Sequence, residues 1–350
     1  MAPLAELNPR RIALIKPSAL GDIVHAMPVL SALRTKFPQA EITWVVNKAY
    51  EPLLAGHPDL TDTISFERGA RKRGLFGAAS YAIQFARELR NRRFDLVIDL
   101  QGLLRTGLMC LSARSPRVVG FANGREGSRF AYTDRIRVPD ADRIHAVDRY
   151  WRVVEAFGVG SLLKRFHVPI SVEARDWAQA EVRGLPRPIV AVAVGAKWVT
   201  KRWPPSHFAE LLREIPGTCL FVGTGDDTAM SLEVMRSLHG PSRDFTGKTT
   251  LPQLAALLAS ADVMVGNDTG PLHVAVALGR PVVAPYTCTK AALTGPYNQA
   301  HRAIETRVWC AGSYLKRCDR MECMAELTPD RLWPTLREIV STWHEQSRSA

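Results

Sequence analysis

The sequence is short of several features that would each have named a protein class. No apolar run approaches the roughly 18–20 residues of a membrane helix, and Met1 to Arg10 carries no apolar core of a secretory signal. Cysteine is scarce, with 6 in 350 residues at scattered spacings, which predicts reduced thiols in a cytoplasmic chain. No strand–GxGxxG–helix unit opens either half, so a nicotinamide dehydrogenase is disfavoured. GxxxxGK[ST] is absent, and with it a P-loop NTPase. GxSxG is absent, which excludes the usual hydrolase elbow. There is no low-complexity segment and no short repeat. Cys310, Cys318 and Cys323 are separated by seven and four residues, a spacing unlike familiar zinc sites. Free or structural thiols are expected there, with no metal.

What is present is an ordinary globular mix, 46% hydrophobic and 23% charged, at a length that suits two domains. The net charge of +12 is uneven. Residues 1–170 hold 26 Lys and Arg against 16 Asp and Glu, whereas residues 171–350 hold 20 against 18. The densest basic runs are Arg68 to Arg73 and Arg87 to Arg93. Such a half calls for an anionic partner: nucleic acid, an acidic membrane surface or an acidic substrate. The aromatics do not interleave with the basic runs as a base-stacking platform would require, so nucleic acid is set aside.

Short apolar runs alternate with helical periodicity. Strands are expected at 12–16, 42–47, 95–99 and 117–121, with helices over 22–37, 76–93 and 145–157. After a junction at 160–188 the pattern restarts. Strands are expected at 189–194, 219–222, 262–265 and 281–284, and helices over 208–215, 228–238 and 251–260. A last helix begins near Thr328, which can cap it, with Pro329 in the first turn. This alternation predicts parallel sheets flanked by helices, and ligands at the carboxyl ends of the strands.

Four turns after predicted strands carry chemistry. Lys16-Pro-Ser-Ala-Leu-Gly-Asp-Ile-Val-His25 places Asp22 at a helix start, where it can cap the helix or take a proton from an acceptor hydroxyl. His25 is a second candidate base or phosphate contact, or a plain helix residue. Gly266-Asn-Asp-Thr-Gly-Pro-Leu-His273 opens a helix whose free N–H groups suit a diphosphate. Gly195-Ala-Lys-Trp-Val-Thr-Lys-Arg-Trp-Pro204 brings Lys201 and Arg202 to the same sheet end, where a cation can neutralise a leaving diphosphate. Gly223-Thr-Gly-Asp-Asp227 offers a carboxylate for ribose hydroxyls.

Taken together, these motifs resemble the family 9 glycosyltransferases, whose best-known members are the bacterial lipopolysaccharide heptosyltransferases. The resemblance runs from about Arg11 to Ile339. It rests on Ser18-Ala-Leu-Gly-Asp-Ile-Val-His25, Asp99-Leu-Gln-Gly102, His145-Ala-Val-Asp-Arg149, Lys201-Arg-Trp-Pro204, and Asp268-Thr-Gly270 with His273. It implies the GT-B fold: two Rossmann-like doubly wound α/β domains facing across a cleft. Residues 1–170 would bind the acceptor, 171–327 the nucleotide sugar, and 328–350 would form a helix packing back on the first domain. It implies a metal-independent, inverting transfer of heptose from ADP-heptose, a substrate and not a cofactor, to the Kdo/lipid A inner core of lipopolysaccharide.

By this resemblance Asp22 is the general base and Lys201 stabilises the leaving diphosphate. Thr200, Lys201, Asp227, Thr249, Asp268, Thr269, Gly270 and His273 contact the donor. Ser18, His25, Gln101, Arg105 and His145 contact the acceptor. Asp227 stands where the family has Glu, and Thr249 where some members place an apolar adenine contact, so the nucleobase stays open. Residues 18–159 are most similar to first-heptose enzymes, while Cys318 to Pro329 looks more like second-heptose or other members. The alternatives are another nucleotide sugar or acceptor on the same fold, or a non-catalytic nucleotide-sugar-binding protein. A cytoplasmic enzyme, peripheral on an anionic inner leaflet, is the expected setting.

Overall fold

The computed structural model describes residues 2–67, 69 and 74–349. Most of the basic run Arg68 to Arg73 therefore lies outside the described residues. The chain divides into two compact units, Met1–Pro169 and Ile170–Ala350.

The first unit contains β1 (Arg11–Ile15), α1 (Leu20–Lys36), β2 (Glu41–Asn47), β3 (Asp62–Phe66), α2 (Gly74–Asn91), β4 (Leu96–Asp99), α3 (Leu104–Ala113), β5 (Arg117–Phe121), β6 (Asp134–Ile136) and α4 (Ala146–Ala156). Its strands lie in the order β3-β2-β1-β4-β5-β6, and every pairing is parallel. The central strands bury both faces, as a covered parallel sheet requires. Ile12, Ala13, Leu14 and Ile15 are all fully buried. α1 and α4 pack together. Leu89 of α2 and Met109, Cys110 and Ala113 of α3 close a core with Ala13, Ile15, Val45 and Val97 of the sheet.

The second unit contains α5 (Val172–Val182), β7 (Ile189–Ala193), α6 (Pro205–Leu212), β8 (Thr218–Phe221), α7 (Thr228–Met235), β9 (Ser242–Asp244), α8 (Leu251–Ser260), β10 (Val263–Gly266), α9 (Gly270–Ala277), β11 (Val282–Tyr286), α10 (Ala291–Thr294), β12 (Ala303–Glu305), α11 (Glu322–Glu326) and α12 (Pro329–Ser349). Its order is β12-β11-β10-β7-β8-β9, again all parallel. Counted from each unit's own first strand, the two orders are the same doubly wound arrangement. The strand order reverses between β1 and β4 in one unit and between β7 and β10 in the other. Ligands of such sheets bind at the carboxyl ends of the strands beside that reversal.

Two local readings change. The stretch 160–188, expected to be a weakly patterned junction, contains both the division between the units and α5, which Ser171 caps by accepting from the Ala174 N–H at 3.2 Å. The helix expected over 208–215 starts at Pro205, because a proline is well suited to the first helical turn. In the last helix, α12, the apolar side chains Leu332, Leu336, Ile339 and Val340 join Trp203, Phe208 and Leu212 in the core of the second unit.

Candidate active site

In the first unit, Lys16 follows β1 and is almost fully buried. The indole N–H of Trp44 on β2 donates to its carbonyl at 3.0 Å and fixes the turn. Its ammonium lies 3.8 Å from Oδ1 of Asp22, 3.5 Å from the Leu100 carbonyl beyond β4, and 4.8 Å from the centre of the Tyr150 ring. Burial alone would lower the Lys16 pKa, but Asp22 and Tyr150 outweigh it and hold the pKa above the ordinary lysine value. Burial, and then Asp22, push the Tyr150 phenol up.

Asp22 is the third residue of α1, not its cap. Ala19 occupies the cap position and has no side-chain oxygen with which to serve it. The Asp22 carboxylate reaches back and accepts from the Ala19 N–H at 3.0 Å through Oδ2, and Oδ1 accepts from the Tyr150 hydroxyl at 3.2 Å. Its side chain remains 38% exposed, and each carboxylate oxygen has a further lone pair. One residue thus satisfies an N–H at the start of the helix and offers an open, oriented carboxylate.

Around it stand other residues expected from the sequence. Ser18, His25 and His145 are buried. The rings of His25 and His145 meet edge-on at 5.0 Å, and His145 caps α4 through Nδ1, which accepts from the Val147 N–H at 3.1 Å. Beyond β4, Asp99 is fully buried. It accepts from the N–H groups of Gln101 (2.8 Å) and Gly102 (3.1 Å) and from the Tyr132 hydroxyl (2.8 Å). Burial raises its pKa even so. Gly120 is required here, because a Cβ would fall 2.5 Å from the Tyr132 ring. Asp99 therefore shapes the loop that carries Gln101. The Oε1 of Gln101 is buried and accepts from none of the described residues. The Arg105 guanidinium lies 5.5 Å from the Phe66 ring.

In the second unit, the turns after β7 and β10 are tied together. Asn267 accepts from the Trp203 N–H at 3.1 Å and donates to the Val194 carbonyl at 2.7 Å. Lys201 donates to Oδ2 of Asp268 at 2.5 Å and lies 4.8 Å from the Trp198 ring. Asp268 is buried and accepts further from Thr289 at 2.7 Å and Tyr286 at 3.3 Å. His273 Nε2 lies 3.3 Å from its Oδ1. Burial alone would raise the Asp268 pKa, but His273 and Lys201 overcome it and hold the carboxyl far below the usual range. An ionised Asp268 can only accept, so His273 bonds to it only in the tautomer that carries its proton on Nε2.

Thr269 precedes α9 without capping it. Its hydroxyl is not used by the helix start, and the first N–H groups of α9 present the positive end of the helix dipole. Thr200 is buried. Its hydroxyl donates to the Leu315 carbonyl at 2.6 Å, and its own carbonyl accepts from Thr287 at 2.5 Å. It shapes the Lys201 turn with a side chain already engaged. Asp227 accepts from both the N–H and the hydroxyl of Thr224 at 2.8 Å. It lies against Gly195, where a Cβ would come within 1.9 Å of its Oδ1. Thr249 is half-buried in the loop between β9 and α8.

The expected residues after β1 and β4, and those after β7 and β10, thus lie at each unit's own strand reversal, whereas Asp227 follows β8 and Thr249 follows β9. Lys16, Tyr150, Tyr132, Asn267, Tyr286 and Thr289 were not singled out from the sequence. Lys16 had a signal, a cation ending an apolar strand beside the motif. The others are ordinary-looking residues brought in by the fold. Among the described residues, no group of three His, Cys, Asp or Glu side chains is placed to hold a metal. The six cysteines are free.

Residues 82–325 match the profile of glycosyltransferase family 9 (heptosyltransferase). The lipopolysaccharide core heptosyltransferase OpsX of Haemophilus influenzae is 25% identical over 309 residues, covering 86% of each chain. The lipopolysaccharide heptosyltransferase 2 of Salmonella typhimurium is 26% identical, covering 95% of this chain and 99% of the relative. Among solved structures, a family 9 glycosyltransferase of Veillonella parvula superposes with a TM-score of 0.81 at 25% identity, covering 96% of this chain and 99% of that one. The ADP-heptose lipopolysaccharide heptosyltransferase II of Escherichia coli superposes with a TM-score of 0.73 at 25% identity, covering 95% and 99%. The two doubly wound units are those of the GT-B fold class. With its profile matched across most of the sequence, the chain belongs to glycosyltransferase family 9.

Proposed function

We propose that this chain transfers heptose from ADP-heptose to the Kdo/lipid A inner core of lipopolysaccharide, with inversion and without a metal. One observation carries the reading. The equivalent strand reversals of the two units hold complementary groups: an open carboxylate, Asp22, in one and an anchored cation, Lys201, in the other.

In this reading the acceptor hydroxyl gives its proton to Asp22 as its oxygen attacks the anomeric carbon. The bond from that carbon to the diphosphate breaks on the opposite face, which inverts the centre. Gln101 Oε1 accepts from an acceptor hydroxyl, and Arg105 faces acceptor carboxylate or phosphate. Charge growing on the leaving diphosphate is met by Lys201, by the Thr269 hydroxyl and by the first N–H groups of α9. Asp268, with two protein partners at each of its oxygens, positions Lys201 and His273 at the donor. The basic first half suits an acceptor rich in carboxylate and phosphate on an anionic leaflet. The relatives whose names carry heptosyltransferase activity support the choice of sugar.

The test is turnover of ADP-heptose with a Kdo-bearing lipid A acceptor and no added metal. Asp22→Asn is expected to lower kcat by about 10²–10⁴-fold while leaving the fold intact. Unchanged turnover would remove Asp22 from the chemistry. A second reading, the same chemistry with another nucleotide sugar, is favoured by Asp227, whose shorter side chain is held by Thr224, and by Thr249. Stabilisation against heat by UDP or GDP but not ADP selects that reading, since a ligand of the folded state raises its melting temperature.

A further inference from the structure

The outer faces of α2 and α3 are built alike. Along α2, Phe76 and Ile83 lie on one stripe with Arg87 and Arg90, at helical spacings of seven, four and three residues. Along α3, Leu104, Leu108 and Leu111 form one stripe that ends at Arg114, just past the helix. The apolar members are all at least 50% exposed, as is Phe130 on the turn packed beside α3. Exposed apolar residues scattered singly mean little; stripes on two touching helices form a patch.

The two stripes run toward the same basic end. Arg90, Arg93 and Arg114 line an open concavity of about 640 Å³. None of the three forms an ion pair among the described residues. The one acid lining it, Asp95, accepts from the N–H groups of Arg10 and Arg11 at 2.8 and 2.9 Å. The cations sit at the carboxyl ends of α2 and α3, which favour positive charge. The concavity lies at the amino ends of β4 and β5, away from the strand ends that carry Asp22. It is therefore not part of the acceptor site.

We propose that this α2–α3 face is where the chain docks on an anionic phospholipid bilayer, with Ile83, Leu104, Leu108 and Leu111 entering the interface and Arg90, Arg93 and Arg114 meeting headgroup phosphates. Helices that lie on membranes combine these two elements. A second copy of the chain fits less well, because a twofold pairing of this patch would set unpaired arginines against one another. The proposal deepens the membrane partnership given above. Its test reads vesicle binding without turnover, so its failure leaves the transfer chemistry standing.

The test is flotation of the full chain with phosphatidylcholine vesicles and with vesicles that also contain phosphatidylglycerol. Binding is expected only to the anionic vesicles, and it is expected to weaken as salt is raised. Arg90→Gln, Arg93→Gln and Arg114→Gln combined should lower partitioning on the order of a hundredfold. Leu104→Ser, Leu108→Ser and Leu111→Ser combined should lower it at least about tenfold. Thermal melts and ADP-induced stabilisation of both variants should match the parent, which separates lost docking from lost folding. The proposal is overturned by equal binding to neutral vesicles, by no binding to either, or by undiminished binding of both variants. It is also overturned if the leucine variant abolishes a concentration-dependent dimer while the parent ignores vesicles.

Discussion

The ammonium of Lys201 lies 2.5 Å from Oδ2 of Asp268, joining the turn after β7 to the turn after β10. Asp268 in turn gathers Thr289, Tyr286 and His273 from the elements beyond. The pair makes the cation of the candidate donor site a fixed feature of the second unit, not a flexible surface lysine.

Removing the two partners should therefore have unequal effects on stability. Lys201→Ala leaves Asp268 with three protein contacts, and Lys201 retains some exposure to water. Asp268→Asn leaves Lys201 and His273 without the charge that organises them. Breaking a buried pair in this way costs about 3–5 kcal/mol. Urea unfolding should rank Asp268→Asn as the more destabilised variant, while Lys201→Ala shows the larger loss of diphosphate affinity by titration calorimetry with ADP.

Tyr150 touches Asp22 through its hydroxyl and Lys16 through its ring. Tyr150→Phe keeps the ring and removes one hydrogen bond, worth about 0.5–1.5 kcal/mol. The expected result is a small drop in melting temperature, a lower kcat and unchanged ADP binding. If kcat is unaffected, the hydroxyl does not orient the base.

The two buried charges set opposite edges of pH stability. The Asp268 carboxyl is depressed in the folded state, so its contribution is present above the unfolded value near about 3.9. It is lost as pH falls further toward the folded value. The Lys16 ammonium is raised above 10.5, so its contribution is present below that value and is lost as pH rises through the folded one. Denaturant melts across pH should show stability falling below about pH 4. That fall should be reduced in Asp268→Asn. An alkaline fall should be reduced in Lys16→Met.

Gly195 has no room for a side chain, since its Cβ would meet Oδ1 of Asp227 at 1.9 Å. Gly195→Ala should displace Asp227 and loosen the Thr224 turn. Nucleoside diphosphate affinity is expected to fall, and the effect should match that of Asp227→Ala without adding to it in the double variant. Additive losses would mean that the two residues act separately.

Much of the fold was readable because the central strands are buried on both faces. A run such as Ile189-Val-Ala-Val-Ala193 has no competing interpretation, and each of the eight expected strands has an observed counterpart displaced by at most two residues. The strands missed, β3, β6, β9 and β12, all lie toward the edges of the sheets, where partial exposure weakens the pattern. α3 was missed because Leu104, Leu108 and Leu111 face outward, opposite to the usual helical pattern.

The candidate site divides in the same way. Asp22, Lys201, Asp268 and His273 were visible in the sequence, because polar residues at turns after apolar strands mark the ligand end of a doubly wound sheet. Their partners were not visible. Tyr150 reaches Asp22 across 128 residues, and Thr289 reaches Asp268 across 21. Nor could the sequence reveal that Thr200 is engaged by Leu315, or that the final helix closes the second unit's core. Chain-local chemistry is written in the order of residues. Which groups meet, and which are left free to act, depends on contacts made only when the sheets assemble.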